Sequence, residues 1–242
     1  MLRAVIFDLD GTLYDYKAAH APAFAALTDY AGKSLGIAPE AFRNLHRQAE
    51  RVVNERCGGP CAAVHSRLIR YQVILELAGA SIARAPEMSR LYWSTLIKAM
   101  RPNPGMLECL QALRGMGLMI GVCTNMTADW QFEKLIALGI MPLVDFLVTS
   151  EEAGAEKPER RIFDLCARKA GCEPGACVFV GDNLKGDALG ALNAGMRSIW
   201  LSAGEDTEGC DPEIVRIDSL HALPEVIAAM RAEGDGTHET QP

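Results

Sequence analysis

The sequence predicts an α/β protein: a doubly wound parallel sheet with an α-helical domain inserted after the first strand. Three observations predict it. Short, nearly continuous apolar runs recur after residue 100, as in parallel strands covered on both faces. Helical apolar spacing fills the intervals between these runs. Residues 16–99, by contrast, carry long helical patterns and no clear strand run.

The elements follow in order. The first strand is read at 3–8, around Ala4-Val5-Ile6. The inserted helices break at Gly36-Ile37-Ala38-Pro39, at Cys57-Gly58-Gly59-Pro60 and around Ala83-Arg84-Ala85-Pro86, which gives about four helices. Arg101-Pro102-Asn103-Pro104-Gly105 leads back, stiffened by two prolines. Met106, Leu107, Leu110 and Leu113 share a helix face, as do Ile162, Phe163, Cys166 and Ala170. Strands are expected at Leu118–Cys123, Leu143–Val148, Cys177–Val180 and Ser198–Leu201. Leu220, Leu223, Val226, Ile227 and Met230 mark a closing helix. Residues 1–15 and 100–232 thus form a core and 16–99 a helical cap. The polar tail 233–242 is expected to be disordered.

Composition narrows the function. A chain of 242 residues can bury a sizeable core. Its hydrophobic fraction of 49% and charged fraction of 23% are ordinary for a globular protein. A net charge of −7 leaves no footprint for nucleic acid and none for an anionic membrane surface. No apolar run approaches the roughly 20 residues of a membrane span. The chain enters a strand pattern at once, and its eight cysteines are irregularly spaced. Both observations predict reduced thiols in a cytoplasmic protein.

The chemistry concentrates at predicted strand ends. Asp8-Leu9-Asp10-Gly11-Thr12-Leu13 places two carboxylates where the first strand must turn. Two like charges at about 4 Å repel by about 4 kcal/mol at an effective dielectric near 20, so a cation or a proton is expected between them. Thr124-Asn125, Lys157-Pro158 and Gly181-Asp182-Asn183-Leu184-Lys185-Gly186-Asp187 each follow a later apolar run. In a parallel sheet these ends converge on one edge, where ligands bind. A hard divalent ion such as Mg2+ takes a few carboxylates plus phosphate and water, and Asp8 and Asp182 can supply the carboxylates. A hydroxyl and backbone amides at Thr124-Asn125 can hold phosphate oxygens, and Lys157 can neutralise both partners. Singly, each has an ordinary use: Thr124-Asn125 can cap a helix, and Lys157 can be a solvated surface residue.

Together these four motifs resemble those of the haloacid dehalogenase superfamily, and the insertion resembles its helical C1 cap. The resemblance implies a Rossmann-like core and a phosphatase of small phosphorylated metabolites, nucleoside monophosphates or sugar phosphates first. It implies Asp8 as nucleophile and Asp10 as general acid/base, with its backbone carbonyl on Mg2+. Thr124 and Asn125 would bind the phosphoryl group, and Lys157 would steady it. Asp182 would ligate the metal, with Asn183 and Asp187 just outside it. Relatives that displace halide lack the second Asp, so Asp10 argues for phosphoryl transfer. A catalytically weak regulatory protein that keeps the fold is the alternative. In the cap, His65 and Arg67 follow a glycine-rich turn able to dip toward the core, and they are the candidate substrate readers. They can equally be ordinary helix-face residues, as can Arg70. Tyr14 and Tyr16, at the first hinge, either line the entrance or pack between the domains. Cys57, Cys61 and His65 are spaced four apart, but Gly58-Gly59-Pro60 breaks any helix that would align them on a metal.

Overall fold

The structure, a computed structural model, describes residues 1–202, 204 and 211–236. Its sheet has six parallel strands in the order β3-β2-β1-β4-β5-β6. They are β1 (Ala4–Phe7), β2 (Met119–Thr124), β3 (Phe146–Thr149), β4 (Cys177–Gly181), β5 (Arg197–Leu201) and β6 (Ile214–Ile217). β1 lies in the middle, paired with β2 on one side and β4 on the other. Its side chains alternate between two cores. Val5 and Phe7 join one apolar cluster, while Ala4 and Ile6 join Ile162, Phe163 and Cys166 in the other. Burial on both faces is why the strand reads as an unbroken apolar run.

Helices α1 (Tyr16–Leu35), α2 (Pro39–Cys57), α3 (Arg67–Leu77) and α4 (Ala85–Ala99) form the insertion. Asp15 starts α1 by accepting from Ala18 N at 2.9 Å, and Gly36 ends it in the left-handed region. A 3-10 turn, Ala62–His65, precedes α3. The core helices are α5 (Met106–Gly115), α6 (Ala128–Ala137), α7 (Ser150–Ala153), α8 (Arg160–Ala170), α9 (Gly190–Asn193) and α10 (Leu223–Gly236). Among the described residues, no helix is long and apolar enough to cross a membrane.

Several expectations need correction. Leu143 closes a 3-10 turn begun at Met141-Pro142, so β3 starts only at Phe146. Asp145 is held out of the strand because its carboxylate accepts from Arg114 and from Ile120 N. The buried face of α5 uses Cys109 rather than Leu107, which is 43% exposed. β6 was not anticipated: it is a four-residue edge strand with Arg216 exposed, so its apolar run is interrupted. Leu220 stands in a 3-10 turn before α10. Residues 233–236 of the expected disordered tail, Glu-Gly-Asp-Gly, form the last turn of α10 instead. Residues 237–242 of that tail lie outside the described residues.

Candidate active site

β1 delivers Asp8 to the carboxyl edge of the sheet, between its two neighbours. The Asp8 backbone N–H still donates to Val180 O at 2.9 Å, so the carboxyl group sits directly above the strand ends. The chain then turns at Gly11, with φ of 104°. A Cβ there would overlap the Asp182 carboxylate, so only glycine permits both the turn and the close approach of the loop after β4. Thr12 joins the two loops. Its hydroxyl lies 3.3 Å from Asp8 Oδ2 and 3.2 Å from Asp182 Oδ1, and it accepts from Asp182 N at 3.0 Å. Asn103, in the return linker, donates to the Gly11 and Thr12 carbonyls at 2.9 Å each and holds this turn from outside.

Lys157 provides the positive charge. Its Nζ lies 2.6 Å from Asp8 Oδ1 and 2.6 Å from Asp187 Oδ1. Asn125 positions it: Lys157 N donates to Asn125 Oδ1 at 2.9 Å, and Asn125 Nδ2 donates to Lys157 O at 3.2 Å. Asp8, Asp10, Thr124, Asn125, Lys157, Asp182, Asn183 and Asp187 all line one cavity of about 220 Å³. The Asn183 side chain turns to its own loop, accepting from Lys185 N and Gly186 N. Asp187 also accepts from Asn183 N at 3.1 Å, which closes the loop over β4.

This cluster carries excess negative charge. Oxygens of Asp8, Asp182 and Asp187 lie within 4.8 Å of one another, and Lys157 pairs with the first and last of them. Burial pushes the Asp8 carboxyl up to about 8; Asp187 and Asp182 add to the rise while Lys157 opposes it. Asp182 is raised by burial and by Asp187. Burial works against the Lys157 charge, but Asp187 and Asp8 outweigh it and its pKa rises. Three close carboxylates with too little positive charge suit a hard divalent cation.

Asp10 has a different environment. Burial alone would raise its pKa, yet Lys134, Gln131 and Tyr14 hold it below the usual carboxylate range. Lys134 Nζ lies 2.6 Å from Oδ1, and Gln131 Nε2 lies 3.0 Å from Oδ2. Gln131 also donates to Thr124 Oγ1 at 2.6 Å. Tyr14, wholly buried, donates its hydroxyl to Asp10 rather than lining the entrance. Lys134 and Gln131 are not among the candidates read from the sequence, and Tyr14 is there only as a hinge residue. Gln131 and Lys134 are a polar pair among Trp130 and Leu135 on α6, and buried polar residues on an apolar face were the available signal.

Two contacts between cap and core bear on the site. His65 Nε2 lies 2.8 Å from Glu156 Oε1, outside hydrogen-bond alignment, beside Lys157. Trp93 of α4 stacks on Trp130 of α6, with ring centroids 4.6 Å apart and planes at 12°. Arg67 stays within the cap, donating to Tyr16 Oη at 3.1 Å. Tyr16 lines a second cavity, of about 430 Å³, together with Asp10, Gly11 and Asp182. His65 therefore touches the core near the phosphate-binding candidates, while Arg67 does not contact them directly.

The model of the haloacid dehalogenase-like hydrolases matches residues 2–195. The chain belongs to that family. Among its haloacid dehalogenase-like relatives is a ribulose-1,5-bisphosphate 5-phosphatase of Halopiger xanaduensis, 33% identical over 230 residues, which cover 92% of this chain and 95% of the relative. A glyceraldehyde 3-phosphate phosphatase of Methanothermobacter thermautotrophicus is also 33% identical, over 94% of this chain and 100% of its own. The crystal structure of a 2-haloacid dehalogenase from Pseudomonas syringae superposes with a TM-score of 0.76 at 28% identity, covering 95% of this chain and 100% of that one. The haloacid dehalogenase-like core thus accounts for the sheet order, and the inserted helices are its cap.

Proposed function

We propose that the chain is a Mg2+-dependent phosphatase that hydrolyses small phosphate monoesters through a phosphorylated Asp8. One observation carries this reading: Asp8 stands at the end of the central strand with Lys157 on one oxygen and Thr12 beside the other. Around it are the hydroxyl of Thr124 and the amide of Asn125. The relatives named as sugar-phosphate phosphatases support this reading, as does a pyrimidine 5′-nucleotidase of Escherichia coli, 33% identical over 58% of this chain. They favour sugar phosphates first and nucleotides second. Asp10 speaks against halide displacement, which produces no alkoxide to protonate. Seven cysteines are free among the described residues, in keeping with action in the cytoplasm.

Asp8, the Asp10 backbone carbonyl and Asp182 are the proposed ligands of Mg2+. The bound ion would offset the charge of the carboxylates and of the phosphate. Thr124 and Asn125 hold the transferring phosphoryl oxygens, and Lys157 holds both Asp8 and the phosphate. An Asp8 carboxylate oxygen attacks phosphorus, the ester P–O bond breaks, and Asp10, which must enter this step as the protonated carboxylic acid, gives its proton to the departing alkoxide and is left as the carboxylate. Asp10 then takes a proton from a water that attacks the same phosphorus. Inorganic phosphate leaves and Asp8 is restored. To reach the leaving oxygen, Asp10 must exchange one of its contacts with Lys134, Gln131 or Tyr14 for the substrate.

Hydrolysis of an aryl phosphate with and without Mg2+ tests this reading, with Asp8→Asn as control. Turnover should require the metal and fall by roughly 10³-fold or more in the variant. Activity that survives Asp8→Asn removes Asp8 as the nucleophile.

A further inference from the structure

We propose that Arg67 receives a second anionic group of the substrate, a carboxylate or a further phosphate, so that the preferred phosphate monoesters carry two anions. The inference rests on the phosphatase reading of the Asp8 site and adds the substrate class to it.

Arg67 is the first residue of α3, and Arg70 lies in the same turn, which contains no acidic residue. Ser66 caps the helix from its side chain. Cations at this end face the positive pole of the helix and are disfavoured there. Arg70 has some compensation, because it donates to Val64 O at 3.1 Å and lies 3.4 Å from Glu50 Oε1. Arg67 has no carboxylate within 4 Å among the described residues. Its guanidinium rests 5.1 Å from the Tyr92 ring centroid and 6.0 Å from that of Trp93. An aromatic cradle orients the planar fork but supplies no counter-charge.

The surrounding groups also lack acceptors. Arg67 Nε is buried with no protein partner, as are Trp93 Nε1 and the Tyr71 hydroxyl. Tyr71 and Trp93 are themselves at least 98% buried. Leaving a buried donor unmade is costly, and an oxyanion at the guanidinium would satisfy Arg67 Nε. Nearby, burial and then Arg67 and Arg70 lower the pKa of His20, which marks the region as electropositive. This stands out in a chain of net charge −7.

The position suits a substrate reader. Two residues before Arg67, His65 meets Glu156 beside Lys157, so the start of α3 is held against the core loop. Tyr16, which accepts from Arg67, lines the larger cavity with Asp10 and Asp182. Arg67 does not itself line that cavity and meets it through its hydrogen bond to Tyr16, so the far end of an ester held at Asp8 must pass Asp10 and Tyr16 to reach the fork. An Arg fork matches carboxylate and phosphate oxygens alike, which is why the proposal names both.

Calorimetric titration of the full-length Asp8→Asn protein with Mg2+ tests this without turnover. 3-Phosphoglycerate is compared with glycerol 3-phosphate, which replaces the carboxylate by a hydroxymethyl group. Fructose 1,6-bisphosphate is compared with fructose 6-phosphate. At least one doubly anionic ligand should bind about 10- to 100-fold more tightly than its partner, as charged hydrogen bonds give. The pair that responds tells carboxylate from phosphate. Adding Arg67→Gln should shrink that ratio below about threefold, and Arg67→Lys should restore part of it. Equal binding within each pair overturns the inference, as does a ratio unchanged by Arg67→Gln or an equal loss for every ligand. Should Arg67→Gln not fold, the paired ligands on Asp8→Asn alone decide. Loss of the phosphatase reading would appear separately, as absent or Asp8-independent turnover of the wild type.

Discussion

Asp10 is asked to give a proton to a leaving oxygen and later to accept one from water, yet its carboxylate rests on Lys134, Gln131 and Tyr14. Lys134 keeps it ionised. Replacing Lys134 by Met should raise the Asp10 pKa and move the alkaline limb of the kcat/KM profile, where the general acid loses its proton, to higher pH; an unmoved limb would show that Asp10 does not set it. The stability cost should fall below the roughly 3–5 kcal/mol of a fully buried broken pair, because the Asp10 side chain is 24% exposed. Asp8, Asp10, Thr124, Lys157, Asp182 and Asp187 were legible because each is a polar residue just past an apolar run. Lys134, Gln131 and Glu156 were not, since their roles depend on which side of a helix or loop meets Asp10 or His65. The placement of Asn183 depended on side-chain direction, which its position in the loop does not specify.

At the level of elements, α2 lays His46 edge-on to Phe24 of α1, with ring centroids 5.1 Å apart. Burial, then Arg70, Arg67 and His20, pushes His46 down to about 3. The unfolded chain takes up this proton near 6.5, whereas the folded one resists it until about 3. Acidification between those values therefore favours unfolding, and the stabilisation is complete only above pH 6.5. His46→Leu should flatten the fall in Tm between pH 6.5 and pH 4, read by thermal melts; parallel curves for the two proteins would refute it. The helices and most strands were readable because burial on two faces or one stripe writes a period into the sequence. β3 and β6 resisted for opposite reasons. β3 was overextended because Leu143 and Val144 are apolar but belong to a proline-started turn, and β6 is too short and too exposed at Arg216 to show a run.

Across the whole molecule, cap and core meet through the Trp93–Trp130 stack and the His65–Glu156 contact. Removing the stack by Trp130→Leu should loosen closure. An aromatic pair contributes about 0.5–1.5 kcal/mol beyond its buried area, so KM for the aryl phosphate should rise about 2- to 10-fold. A KM at or below the wild-type value would detach this seam from closure. The sequence by itself determined the parallel sheet, the inserted helices and the residues at the strand ends. These are local properties: a periodicity of burial and a short polar word where a strand stops. Only the tertiary structure decided that Lys157 bridges Asp8 and Asp187, that Lys134 claims Asp10, and that Arg67 has no carboxylate partner among the described residues. Such pairings join side chains as far apart in sequence as Asp10 and Lys134, or Asp8 and Lys157. Coulomb energy depends on distance and burial, and neither exists for those pairs until the chain has folded.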